Sequence, residues 1–448
     1  MLAIATAGGI ARAEAIDGNA RTSADEEGYV ANANRILAGR PYATFKWPPA
    51  TSIAFALATG LSGHRSLRLA AHSSGPAQIA QLAMGILTLA LVAALAWMGA
   101  GLWAALLAVA LAASYVPLIV STRTFLSEPL GGLALIAAIA VAAFAHSRMD
   151  GRRDLEDTDA RDERRRPSPR GRGEWLPLAV AGAIGGLACL TRGDLLIAMG
   201  VIALALALTG RPGFRVGAGR AAVYLAALAL VLSPWIAYAS SREGRFVPIT
   251  TAGPDAFFVG SYLPGKGLLV PTEEALAPEV CHRFPSDCGP YWQRTSRPLF
   301  RLIQARDTGA SENAAVVKAD LQNVRDYMLG RPLAFLSMLS GKFWSMWTNA
   351  WSGGNGTRHA DTSETQHLIY VALAWLGLLA GIALTRRWML IASAAVLVSV
   401  AGLATLFNDQ PRYNVSLTPL LFASGAAGLW LAAERIIARG RGVARDRS

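Results

Sequence analysis

The 448-residue chain has three cysteines, six histidines and only 16% charged residues. Three cysteines are too few for a disulfide scaffold. Cys189 stands alone in an apolar run, while Cys281 and Cys288 share the longest polar stretch, where they can pair in an oxidising compartment. His282 has no further ligands at metal spacing, so a zinc site there is set aside. No G-x-G-x-x-G follows a strand pattern, and there is no Walker loop and no H-E-x-x-H. Those absences argue against nucleotide-sugar, ATP and zinc-protease chemistry. Acidic residues are also scarce, 30 against 42 basic ones, for a net charge of +12. The excess does not point to nucleic acid, because the arginines fall in short blocks between apolar runs, the pattern of positive-inside topology. Residues 2–10 are apolar but lack a preceding basic region and a following cleavage site, so no signal peptide is read there.

What the chain has is apolar length. It is 53% hydrophobic, and several runs approach the roughly 20 residues that span a bilayer. The expected fold class is an all-α polytopic membrane protein. Spans are expected at 77–98, 102–120, 129–145, 175–190, 195–208, 221–239, 368–384, 389–407 and 415–433. With a first helix, for which 2–10 is short, that makes about ten, both ends on one side. Domain organisation follows: a transmembrane unit over 1–434 and a basic cytoplasmic tail over 435–448. Within the unit lie a first extracytoplasmic loop (12–76), a cytoplasmic arginine-rich loop (147–174, read as disordered) and a long extracytoplasmic loop (241–365). A second basic loop is expected to carry Arg211, Arg215 and Arg220. Residues 50–61 read as an interfacial or re-entrant helix, and 311–329 as an amphipathic helix closed by Gly330 and Pro332. Residues 332–351 read as an interfacial helix with its indoles at headgroup level.

This parity places the polar motifs together. The acidic segment 22–49, T-R-T-F-L-S-E-P (122–129), T-R-G-D (191–194), the long loop and N-D-Q-P-R-Y (408–413) all fall opposite the basic loops. In the acidic segment, Ser23 and Glu26 form an S-x-x-E capping box, and Tyr29, Val30, Ala33, Ile36 and Leu37 recur at helical spacing. Asp25 and Tyr29 share a face of that helix, and carboxylates in its first turn are favoured by the macrodipole.

The order Asp25-Glu26-x-x-Tyr29, then Gly39-x-Pro41-Tyr42, then Trp47-Pro48-Pro49 resembles the first extracytoplasmic loop of the polyprenyl-phosphate-sugar-dependent glycosyltransferases. These are the GT-C superfamily, in its branch with protein O-mannosyltransferases and lipid A aminoarabinose transferases. Residues 233–262 resemble that family's span ending in Pro-Trp (Pro234, Trp235), followed by a strand-like F-V-P-I-T-T and a glycine turn. The resemblance implies a GT-C-like bundle with extracytoplasmic juxtamembrane helices. It also implies inverting transfer of a sugar from a polyprenyl phosphate to an envelope lipid, glycan or protein, in a bacterial-type inner membrane, with membrane lipids as further partners.

By the same resemblance Asp25 is the base or acceptor-orienting carboxylate, with Glu26 beside it, and Glu128 is a further catalytic carboxylate. Tyr29, Lys46, Arg123, Arg192, Arg412 and Tyr413 are substrate-binding candidates, the cations facing the donor phosphate. In Thr191-Arg192-Gly193-Asp194, glycine replaces the proline that often follows the arginine in the family. Structural alternatives stand beside these roles: helix capping for Asp25 and Glu26, snorkelling for Arg123, and an interfacial anchor for Arg412 and Tyr413. No D-x-D stands in the acidic segment or at Glu128, so neither a catalytic metal nor any other cofactor is expected. The competing readings are a transporter or lipid flippase, which should show inverted repeats and ionisable residues near the midplane, and a non-catalytic GT-C homologue.

Overall fold

A computed structural model describes residues 2–15, 24–67, 75–159, 175–209, 213–288, 297–351, 360–408 and 411–445, and no strand occurs among them. The helices, in chain order, are α1 (Leu2–Ala15), α2 (Ala24–Leu37), α3 (Pro49–Leu61), α4 (Gly75–Ser114), α5 (Val116–Ser121) and α6 (Glu128–Asp159). Next come α7 (Leu176–Thr191), α8 (Leu195–Leu208), α9 (Phe214–Glu243), α10 (Gly253–Ser261), α11 (Leu269–Arg283) and α12 (Arg297–Arg306). The chain ends with α13 (Glu312–Asn323), α14 (Pro332–Thr348), α15 (Ala360–Thr385), α16 (Trp388–Leu406) and α17 (Thr418–Arg445).

Six of these, α4, α6, α9, α15, α16 and α17, are long and apolar enough to cross a membrane, and α7 and α8 are shorter apolar helices. Helix α4 is two spans rather than one. Gly101 takes φ +81°, which a side chain resists, and Ala100 beside it is also non-helical. On either side of this turn, Gly85 packs on Arg12 and Ala113 packs on Gly8, one turn of α1 away. Residues 85 and 113 would be about 40 Å apart in a continuous helix, so the chain doubles back.

The two ends of the bundle differ in chemistry. At one end the Gly99 carbonyl accepts from Arg387, and His146 stacks on Trp388 at 4.7 Å. At the other lie the starts of α2, α6 and α17 and the end of α7. There too the Tyr115 hydroxyl, just ahead of α5, pairs with Nδ1 of the buried His367 near the start of α15, at 2.5 Å. Between the ends runs one large apolar core that includes Leu95, Leu135, Ile139, Leu178, Met199, Leu397 and Phe422.

The long loop folds as a helical module on the polar end. Phe258, Val280, Leu299, Leu302, Ile303 and Val316 from α10 to α13 make its core, and Cys281 and Cys288 are bonded with Cα atoms 5.5 Å apart. Ser311 caps α13 by accepting from the Ala314 amide, and the helix continues as a π-turn over Val324–Leu329.

Four local features differ from the sequence reading. The F-V-P-I-T-T piece pairs with no strand, and the Thr251 amide donates to the Phe45 carbonyl at 2.8 Å. Helix α9 begins at Phe214, so Arg215 and the buried Arg220 lie on a helix and not in a loop. Helix α6 runs on through Asp159, so the first part of the expected disordered loop is helical, while 160–174 lie outside the described residues. On α14 the indoles divide: Trp344 is exposed, whereas Trp347 is buried edge-on against Trp375 at 5.2 Å.

Candidate active site at the polar end of the bundle

Helix α2 is short and polar, and it is held in place through its apolar face. Tyr29, Val30 and Ala33 are buried with Phe55, Ala56 and Phe125, and the Tyr29 carbonyl accepts from Ser52 at 3.0 Å. Ser23, the expected cap, lies outside the described residues. Trp47, from the turn before α3, lies directly over α2 at Gly28, where a Cβ would sit 2.6 Å from the indole. Glycine there lets Nε1 of Trp47 reach Oδ1 of Asp25 at 3.1 Å.

Asp25 is the outer member of a chain of alternating charges. Its Oδ2 accepts from Nη2 of Arg412, whose Nε lies 3.5 Å from Oε1 of Glu128. The same Oε1 is 3.1 Å from Nη1 of Arg192, and Arg192 turns its Nε and Nη2 onto Asp194 at 3.2 and 2.8 Å. Tyr413 underlies both guanidiniums, 4.7 Å from Arg192 and 5.7 Å from Arg412. Three carboxylates face two guanidiniums, one negative charge in excess before Lys46 is counted. The Glu128 side chain is 1% exposed and its Oε2 has no hydrogen-bond partner, whereas that of Asp25 is 33% exposed. Burial pushes the Asp25 carboxyl up, but the Arg412 charge and hydrogen bond, the Trp47 indole and the Lys46 charge outweigh it and hold the group below the usual carboxylate range. Asp25 is therefore ionised at neutral pH.

Tyr29 points into this cluster, with its hydroxyl bonded to Ser127 and its phenol raised chiefly by burial. The Lys46 ammonium sits 5.6 Å from the centre of the Trp47 ring, and its charge reaches both Asp25 and Asp255 at the start of α10. Behind Asp255, the mostly buried Asp320 on α13 is pushed up to about 8, by burial and then by the Asp255 charge.

The structure thus gathers Asp25, Tyr29, Lys46, Glu128, Arg192, Arg412 and Tyr413. Glu26 and Arg123 form a neighbouring pair: Glu26 is buried and accepts from the Phe125 amide at 2.8 Å, and its charge acts on Arg123. That contact ties α2 to the turn ahead of α6. Trp47 and Asp194 stand in the W-P-P and T-R-G-D motifs of the sequence, but neither was given a site role there. Among the described residues, no three His, Cys, Asp or Glu side chains converge as metal ligands, and Asp25, Glu128 and Asp194 each face a guanidinium.

No protein-family model matches the sequence, and no curated protein matches it. Solved structures do. The oligosaccharyltransferase of Archaeoglobus fulgidus in its apo form superposes over 95% of this chain and 50% of its own, with a TM-score of 0.53 and 13% identity. The chain has the GT-C fold. The A. fulgidus enzyme AglB, in complex with an inhibitory peptide and a dolichol-phosphate, gives the same TM-score of 0.53 at 13% identity. ArnT from Cupriavidus metallidurans, bound to undecaprenyl phosphate, matches at a TM-score of 0.43 and 17% identity, over 95% of this chain and 77% of its own. This GT-C bundle spans about half the length of the archaeal enzyme.

Proposed function

We propose that the chain is an integral-membrane glycosyltransferase that moves a sugar from a polyprenyl-phosphate donor to an envelope lipid, glycan or protein acceptor. The observation that carries the reading is the Asp25–Arg412–Glu128–Arg192–Asp194 chain at the polar end of a GT-C bundle. The A. fulgidus enzyme AglB, of that fold, is known in complex with an inhibitory peptide and a dolichol-phosphate, which supports a polyprenyl phosphate as donor. Positive-inside charge supports an extracytoplasmic face for this end, and the resemblance of residues 22–49 implies a bacterial-type inner membrane.

In this reading Asp25 takes the acceptor. A carboxylate held below its usual range is a weak base but a good hydrogen-bond acceptor, so it orients the nucleophile and removes its proton as the bond to the sugar forms. The departing phosphate needs cations rather than a proton, and Lys46 with the outer edge of Arg412 supplies them. Glu128 and Asp194 hold the two guanidiniums apart and aligned, and Tyr413 keeps them stacked. One displacement at the sugar carbon inverts its configuration, and no resident cofactor takes part.

The test is Asp25→Asn assayed with a polyprenyl-phosphate sugar. Asparagine keeps the acceptor oxygen toward Trp47 but loses the charge, so the protein should still insert and fold while transfer falls by about 100-fold or more. Transfer at the wild-type rate removes Asp25 from the reaction.

A further inference from the structure

Arg412 stands between Asp25 and Glu128, yet its segment, the single 3-10 turn Pro411–Ser416, is short. What steadies the segment is α14, which grips it from both sides. Lys342, 4% exposed, donates to the Phe407 carbonyl at 2.7 Å and lies 3.4 Å from the Gly260 carbonyl of α10. Phe407 is the C-cap of α16, where carbonyls lack helical partners and a cation is favoured. One turn along the same face of α14, the Met346 carbonyl accepts from Nδ2 of Asn414 at 2.6 Å, with the Asn349 carbonyl 3.5 Å away. Asn414 is fully buried. One helix face therefore fixes the chain five residues before Arg412 and two residues after it.

We propose that Lys342 and Asn414 are positioning residues for Arg412, so that helix α14, where the loop module rejoins the bundle, sets how the guanidinium meets Asp25. The proposal rests on the functional reading only in treating Asp25 as the reacting carboxylate. Loosening either grip lets Arg412 swing away, and Asp25 then keeps its burial with less of its counter-charge. Neither residue touches the reacting atoms.

The experiment titrates Asp25 itself. Protein labelled with 13C at the aspartate carboxyl is placed in nanodiscs, the Asp25 signal is assigned by its loss in Asp25→Asn, and its shift is followed with pH. Arg412→Gln should raise the Asp25 midpoint by about 1 to 3 units, the effect of an opposite charge at this range. Asn414→Ala and Lys342→Met should each raise it by a part of that, about 0.5 to 1 unit. Lys342→Arg should keep the wild-type midpoint. In an Arg412→Gln background neither Asn414→Ala nor Lys342→Met should add anything. An Asp25 midpoint unmoved by Asn414→Ala and Lys342→Met overturns the proposal, as does a shift that persists once Arg412 is gone. Because Asn414→Ala alters no charge, its shift cannot come from the long-range field of Lys342. The titration needs no donor, so a wild-type protein that transfers no sugar refutes the functional reading and leaves the positioning result standing.

Discussion

Replacing Arg192 with methionine withdraws one guanidinium from two carboxylates, and the structure says which loss dominates. The Arg192 side chain is 8% exposed and that of Glu128 1%, with 3.1 Å between them, so this pair has left water. Asp194, at 24%, keeps part of its hydration. Removing one partner of a buried pair costs about 3 to 5 kcal/mol, whereas a wetter pair contributes about 0 to 1 kcal/mol. Glu128 retains Arg412 at 3.5 Å, which draws the expected loss toward the lower figure, about 3 kcal/mol. Glu128→Gln should cost less, about 1 to 2 kcal/mol, because Arg192 keeps its bidentate hold on Asp194. The double variant should fall short of additivity by about 1 to 3 kcal/mol. Arg192→Lys keeps the charge but not the planar fork, so it should lie between wild type and Arg192→Met. Equilibrium unfolding of these proteins in mixed micelles, followed by far-UV circular dichroism, reads all the values. Strict additivity, or a loss under about 1 kcal/mol for Arg192→Met, would refute the claim that Glu128 and Arg192 form a buried unit.

Three further outcomes are expected. Asp320 has a folded-state value raised to about 8, so the folded protein holds a proton there that the unfolded chain has lost, and this group makes stability decline as pH rises from about 4 to 8; Asp320→Asn should therefore gain most over wild type in thermal unfolding near pH 8 and little near pH 4. The Cys281–Cys288 bond closes a short loop, with a sequence separation of 7, so paired serine substitutions should destabilise the module of α10 to α13 by about 2.5 kcal/mol and speed its limited proteolysis, while the bundle keeps its helicity. Because guanidiniums already face Asp25, Glu128 and Asp194, chelation with EDTA should leave the proposed sugar transfer unchanged; loss of that transfer, restored by a divalent cation, would show that a metal displaces one of them.

The bundle was legible because a bilayer enforces long apolar runs, and parity then sorted the polar junctions onto one end without any contact being known. Glu128, Arg192 and Arg412 were legible as charged residues at span junctions, and the structure adds that they share one network with Asp25. Asp194 was named in T-R-G-D but given no role, because a carboxylate two residues from an arginine carries no helical or strand periodicity to show that the two side chains pair. Likewise, a span search counts apolar length, so it places the start of α9 at Ala221, past Arg215 and Arg220. The strand-like F-V-P-I-T-T piece was carried over from the family resemblance of residues 233–262, but a strand needs a partner, and Phe45 offers a single carbonyl. Lys342 and Asn414 were illegible because their partners are backbone carbonyls, which no side-chain pattern reveals.

Gly28 gives α2 a dependence that its own sequence does not suggest. A glycine inside a helix costs about 1 kcal/mol relative to alanine, so Gly28→Ala would strengthen α2 as an isolated peptide. In the protein the same methyl would meet the Trp47 indole and drive it from Asp25. Helix α2 is thus intrinsically weak and is completed by the residues that dock on it. Its order reports the assembly of the whole polar end, and protease protection or amide exchange of residues 25–37 becomes a reporter of whether that end has formed.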